Sequence, residues 1–291
     1  MLANHPIVSS PIFGLSFAIK RSRKSLIQKH GALVKLFCIV TTFILLLAAA
    51  DLFAQQQLSQ NKTERLFLKG KELIDHANYG AARETFTEFL KNAPAHDPRV
   101  SEAQYYIAFS ALNLNHADGE KLVDNFIERN PSSPKASTAY YDLAIFFYGE
   151  KSYTKAIQYF KKVDFPALTY DQQSQGHFAW GYSLFSQKQL DEALIQFNFV
   201  KTRNNPYSPA ANYYAGFIEY SQGKYADAVT DLKRAESSPS YAAIVPYLII
   251  NVYYRQKKYD ELIRYANDIK SRPDITNKSE IAMLVAEAYY F

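Results

Sequence analysis

Apolar residues between 136 and 163 (ASTAYYDLAIFFYGEKSYTKAIQYFKKV) recur at helical spacing in two blocks separated by Gly149-Glu150-Lys151. The first block carries Tyr140, Tyr141, Phe147 and Tyr148, with small Ala144 among them. The second carries Ile157 and Phe160, with small Ala156. This pattern predicts two short amphipathic helices that approach closely where Ala144 faces Ala156. Such a pair cannot bury its apolar faces alone and needs neighbours of the same kind.

The chain supplies them. Gly70, Ala108, Ala144, Gly181, Gly216, Ile250 and Ala286 stand at intervals of 38, 36, 37, 35, 34 and 36 residues. Twelve residues after four of them lies a second small residue: Ala82, Ala156, Ala193 and Ala228. Glu120 and Leu262 hold that place in the second and sixth units, which predicts looser or differently angled packing there. An aromatic residue or Leu (Tyr79, Tyr153, Leu190, Tyr225, Tyr259) precedes the second place by three residues and covers the turn. Phe86, Phe160, Phe197 or Leu232 follows by four, on the same helical face. Pro94, Pro131, Pro206, Pro239 and Pro273 end second helices, and Ser133-Pro134 and Ser208-Pro209 read as caps opening the next.

This series of small, small, aromatic and proline positions on a helix–turn–helix unit resembles the tetratricopeptide repeat (TPR) over roughly Asn61 to Phe291. The resemblance implies an all-α fold, an α-α superhelix of six repeats plus one partial repeat. The Asn-Pro and Ser-Pro stops around 128–134 are similar to envelope members of the superfamily. Those include the Tol–Pal-associated coordinator family and the lipoproteins of outer-membrane barrel assembly. The run 281–291 (IAMLVAEAYYF) reads as the first helix of a seventh unit, so an array truncated at its C-terminal end is expected.

The N-terminal residues do not fit the repeat. LFCIVTTFILLLAAA (36–50) is uncharged and is preceded by Lys35 and the cations around 20–24, the parts of a secretory signal. Cleavage is expected after Ala54, with Ala50 the second position. An uncleaved anchor over 36–54 in the inner membrane is the other reading, although the run is short of the ~20 residues that span a bilayer. Translation from Val34 would give a compact signal. The expected organisation is 1–54 extension and signal, 55–60 linker and 61–291 repeat array. The expected location is the periplasm or the periplasmic face of the outer membrane.

Charge and composition narrow the function. The net charge of +5 comes from the N-terminal extension, because residues 55–291 carry equal numbers of basic and acidic side chains. A nucleic-acid footprint is therefore not expected. Cys38, the single cysteine, lies in the apolar N-terminal run, so the body has no thiolate chemistry. The histidines are scattered and no Gly-rich phosphate loop occurs, so no metal or cofactor is expected. Ser132-x-x-Lys135 and Ser152-x-x-Lys155 match an acyl-serine pattern, but both sit at helix entries and lack its companion elements. No catalytic residue is assigned.

Aromatic residues are the distinctive feature. In a TPR array the first helices line the concave face. Three residues before each small residue stand Phe67, Tyr105, Tyr141, Phe178, Tyr213, Tyr247 and Met283. Four after it stand Ile74, Leu112, Tyr148, Phe185, Tyr220, Tyr254 and Tyr290. Two readings stay open at this point: a groove taking an extended or helical partner segment, with Tyr105, Tyr141, Tyr148, Phe178, Phe185, Tyr213, Tyr220, Tyr247 and Tyr254 lining it, or rings that pack between units. Chaperone-binding relatives hold a peptide carboxylate with Lys and Arg. Here Lys71 is the one cation near those places, which points away from chaperone tails. The function expected is a non-catalytic scaffold binding a protein of the envelope. The alternative is an N-terminal positioning module of a longer protein whose catalytic or sugar-binding domain lies beyond Phe291.

Overall fold

The computed structural model describes residues 60–291, with positions 46, 48, 49 and 57 before them. Most of the signal or anchor segment 36–54, the start at Val34 and most of the linker lie outside the described residues. Among these, thirteen α-helices follow one another without a strand: α1 (60–75), α2 (Tyr79–Asn92), α3 (Arg99–Asn113), α4 (Gly119–Arg129), α5 (Pro134–Gly149), α6 (Tyr153–Phe160), α7 (Tyr170–Ser186), α8 (Leu190–Val200), α9 (Ser208–Ser221), α10 (Tyr225–Glu236), α11 (Val245–Arg255), α12 (Tyr259–Ile269) and α13 (Lys278–Tyr290). A 3-10 turn at Phe165–Ala167 links α6 to α7. Odd helices are the first, and even helices the second, of six hairpins. No described helix is long and apolar enough to cross a membrane.

The small residues let the helices of a hairpin touch. A Cβ added to Gly70 would lie 2.6 Å from the Phe86 ring, one on Gly181 2.9 Å from Phe197, and one on Gly216 2.8 Å from Leu232. Ala82, Ala144, Ala156, Ala193 and Ala228 are wholly buried, and Ala108 nearly so. In the sixth unit Ile250 and Leu262 are also fully buried. Fewer positions of α11 and α12 approach closely than of α9 and α10, in keeping with the looser or differently angled packing expected there.

The second unit departs from expectation. Its small residue is Gly119, not Glu120. Gly119, Val123 and Phe126 are the buried face of α4, matching Ala82, Phe86 and Phe89 of α2. A Cβ on Gly119 would meet the Leu112 backbone at 2.7 Å, so the packing is close rather than loose. The cause is the turn. In the other hairpins the second-helix small or apolar residue follows the left-handed turn residue by five positions, whereas Gly119 follows Asn115 by four. Glu120 is thereby displaced onto the surface side, where it binds Lys155 (2.7 Å) and accepts from the Tyr159 hydroxyl (2.7 Å).

Every hairpin closes alike. Seven residues after the first small residue, one residue takes positive φ: Ala77, Asn115, Lys151, Lys188, Gly223 and Lys257. The next N–H reaches back five residues, as in Asn78 N to Leu73 O (2.8 Å), Ser152 N to Phe147 O (2.8 Å) and Lys224 N to Glu219 O (2.8 Å). This is the Schellman closure, which satisfies carbonyls the helix end leaves free. Ser133 caps α5 as expected, accepting from Lys135 N at 3.3 Å. Ser208 does not cap. It is the first residue of α9, and its hydroxyl donates to the Lys201 carbonyl at 2.8 Å. The second helix of the third unit ends at Phe160.

Left-handed backbone costs a residue with a Cβ roughly 1–2 kcal/mol, partly offset by the greater entropy glycine has when unfolded. Lys151→Gly and Lys188→Gly are therefore each expected to raise stability by about 0.5–1 kcal/mol in urea unfolding. Gly119→Ala, which drives a methyl into backbone, is expected to lower it by about 1–3 kcal/mol.

Candidate partner-binding face

Two observations define the inner face. Successive first helices touch one another (α3 with α5, α5 with α7, α9 with α11, α11 with α13), while each second helix packs between the first helix of its own unit and that of the next. The first helices therefore form the inner layer of the array, and the ladder positions lie on them.

Along this layer the rings change from buried to half-buried. Phe67, Tyr105 and Tyr141 are 6%, 3% and 5% exposed. Phe178, Tyr213 and Tyr247 in the following units are half-buried, as are Tyr148, Phe185, Tyr220 and Tyr254 on the second ladder. Met283 and Tyr290 of α13 are exposed. The buried rungs spend their hydroxyls on the next unit: Tyr105 donates to Asp142 at 2.5 Å and Tyr141 to Gln175 at 2.7 Å. Tyr254 likewise donates to Glu287 at 2.6 Å. Tyr148, Tyr213, Tyr220 and Tyr247 form no hydrogen bond to a described residue.

The middle of the array holds a continuous aromatic cluster. Tyr182 meets Tyr148 (6.0 Å between ring centres), Tyr153 (5.8 Å) and Tyr214 (5.3 Å). Phe185 meets Tyr214 at 5.1 Å and Phe217 at 5.9 Å. Phe178 stacks on Tyr207 at 5.3 Å, and Tyr213 on Tyr241 at 4.8 Å. Tyr182 and Phe217 lie one residue after the small position and Tyr214 two before it. They join the two ladders into one surface, although the sequence reading left them out. Their signal was there: Phe109, Tyr182 and Phe217 hold the same place in three units.

The face is uncharged at its centre. Lys71 lies near Glu102 (4.0 Å). Lys135 sits over the Tyr106 and Tyr105 rings at 4.9 and 5.3 Å, and Lys155 is held by Glu120. Both lysines of the Ser-x-x-Lys matches are thus engaged away from their serines. Asp142 is one of the acids built into this layer. Burial pushes its carboxyl up to about 6, opposed by the Tyr105 hydrogen bond and by Lys135. Burial likewise raises the Tyr105 hydroxyl, and Tyr148 to about 12, so these phenols stay neutral donors at physiological pH.

The helix-hairpin array defines the class, an α-α solenoid, and comparison with known proteins gives the family. The tetratricopeptide repeat family model matches residues 113–169 and 178–243. These residues are tetratricopeptide repeats. Among solved structures, apo RapI is 10% identical, with 80% of this chain and 76% of that one covered at a TM-score of 0.51. pilF of Pseudomonas aeruginosa is 15% identical over 79% of this chain and 99% of its own, at 0.47. A mutant of MamA is 16% identical over 61% and 98%, at 0.46. No curated protein matches the chain.

A carboxyl whose pKa is raised on folding contributes stability that is full below its unfolded pKa of 3.8 and lost as pH rises through about 6. Wild-type stability is therefore expected to fall relative to Asp142→Asn, on the order of 2 kcal/mol, between pH 4 and pH 7. Urea unfolding of both proteins across that range is the check, and parallel pH profiles would contradict it.

Proposed function

We propose that this chain is a non-catalytic scaffold of the cell envelope that takes an extended or helical segment of a partner protein along its inner aromatic face. The observation that carries this reading is the run of half-buried, uncharged rings from Tyr148 to Tyr220 on the inner layer. Repeat solenoids present such extended concave surfaces to their partners. Tyrosine suits the task because it offers large apolar area and a hydroxyl at low conformational cost. Phe178, Phe185, Tyr213 and Tyr220 would meet apolar side chains, and the hydroxyls of Tyr148, Tyr220 and Tyr247 would meet backbone groups. Export rests on the basic-then-apolar composition of residues 20–54.

A photo-crosslinking phenylalanine at Tyr220 is expected to trap a discrete envelope protein. The same group at exposed Ile195 of α8, 65% exposed on a second helix, is expected to trap none. Tyr148→Ala with Tyr220→Ala should then weaken that partner's affinity by about tenfold or more, the loss of one or two anchors. Adducts of equal yield from both positions, or full affinity in the folded double variant, would remove the reading.

A further inference from the structure

Between the end of α8, the first turn of α9 and the end of α10 lies a cavity of ≈ 530 Å³ on whose walls Pro209 is the only apolar residue. No ladder residue lines it, so it is separate from the inner aromatic face. The loop that closes one side, Lys201 to Tyr207, is fixed from within. The Asn205 amide donates to the Val200 and Arg203 carbonyls (3.1 and 3.2 Å) and accepts from Tyr207 N at 2.9 Å. The Ser208 hydroxyl and the Asn212 amide both donate to the Lys201 carbonyl, at 2.8 and 2.7 Å. The walls are therefore set in place before anything enters.

Two features of these walls have no answer inside the fold. Asn212 is only 3% exposed. Its Nδ2 is spent on the Lys201 and Ser208 carbonyls, while its Oδ1 is buried without a hydrogen-bond partner. A buried acceptor in that state is costly unless something donates to it. The second feature is charge. Lys201, Arg203 and Arg234 stand on the walls and no acid does. Lys201 is held by Glu219 and Asp231, neither of them on the walls, and Arg234 gives one nitrogen to Asp231. Arg203 lies 3.7 Å over the Phe199 ring and forms no ion pair among the described residues. Three cations thus meet two acids, which leaves at least one positive charge in excess.

We propose that this cavity binds a sugar acid of the uronate type, a monocarboxylate that carries hydroxyls. The excess charge matches one carboxylate, and the planar guanidinium of Arg203 or Arg234 can pair with both of its oxygens. A hydroxyl of the same molecule supplies the donor that Asn212 Oδ1 lacks, which a bare carboxylate cannot do. The hydroxyl and amide groups of Thr202, Asn204 and Ser237 meet its remaining hydroxyls. An apolar acid finds no apolar wall here, and a phosphate dianion brings more charge than the walls balance. The volume is that of a site for one small molecule.

The test titrates the chain with glucuronate, glucose, acetate and inorganic phosphate, followed by calorimetry and by NMR of nitrogen-15-labelled asparagine side chains. Saturable binding of glucuronate is expected, with the Asn212 amide signal moving in step. Glucose lacks the carboxylate and acetate lacks the hydroxyls, so each should bind about tenfold more weakly or worse. Arg203→Gln and Arg234→Gln should each weaken glucuronate severalfold. Arg234 is 52% exposed, so its variant should keep the wild-type melting temperature. Tyr148→Ala with Tyr220→Ala should leave glucuronate binding unchanged, which separates this site from the inner face. A uronate-terminated oligosaccharide that binds more tightly than glucuronate would assign the acid to the end of a polysaccharide, and one that binds more weakly to a free sugar acid. No saturable glucuronate binding, or an Asn212 signal that stays still at saturation, would overturn the proposal. Phosphate binding as tightly as glucuronate would do the same, because the cavity would then hold adventitious anions only.

Discussion

The architecture depends on helix pairs closing to contact at one small residue under one large one. Gly70 lies under Phe86, Gly181 under Phe197 and Gly216 under Leu232. A ring over a glycine forfeits no dispersion contact to a gap, and it removes the apolar face of both helices from water together. The left-handed residue seven positions later locks the approach, because the Schellman bonds leave the chain one direction of return. Where the small residues are replaced by Ile250 and Leu262, burial is kept while fewer positions of the two helices approach closely. The contact sets the distance, and the turn sets the register.

Between units, polar groups take over the task of fixing position. Tyr159 bonds to Glu120 and Asp124, Tyr265 to Glu236, and Arg272 to Glu236 and the Ala242 carbonyl. Lys201, at the end of α8, is held by Glu219 (3.3 Å) and by Asp231 of the following unit. Burial and the nearby Asp231 push Glu219 up to about 7, with Lys201 opposing. Each bond adds little net stability, but a buried group left without its partner costs on the order of 1–3 kcal/mol. Apolar surface would tolerate one unit sliding on the next. These groups do not, so they define the rotation from unit to unit, which a long inner face requires.

The repeat was legible in the sequence because its spacing is covalent: small residues and their ring partners recur whatever the tertiary details. Gly119 was misread because the spacing was counted from the first helix, and the turn of the second unit is one residue shorter before the small position. Ser208 was misread because a Ser-Pro pair reads as a cap in isolation. Here the hydroxyl is claimed by Lys201 O, while the Asn205 side chain accepts from Tyr207 N. The ladder positions all fall on first helices, but their burial was not legible. Tyr105 and Phe178 hold the same place in the period yet differ in exposure, because Tyr105 lies against Phe109 and Phe126 and beneath Lys135. Neighbour identity across units is not a local property of sequence.

The two readings of the aromatic ladders, packing and binding, are not exclusive in this geometry. A ring wedged between Tyr148, Tyr153 and Tyr214, as Tyr182 is, has already lost its rotamer freedom on folding. Its remaining exposed edge is therefore presented without the ordering cost that a free side chain incurs on association, about 0.5–1.5 kcal/mol for each immobilised group. Tyr105, Tyr141 and Tyr254 use their hydroxyls to hold the next unit, which fixes the spacing of the rungs. The half-buried rings between them carry the accessible apolar edges. Under the proposed function, packing would make this face rigid enough to recognise a segment, and the uncharged centre would favour an apolar segment over a charged tail.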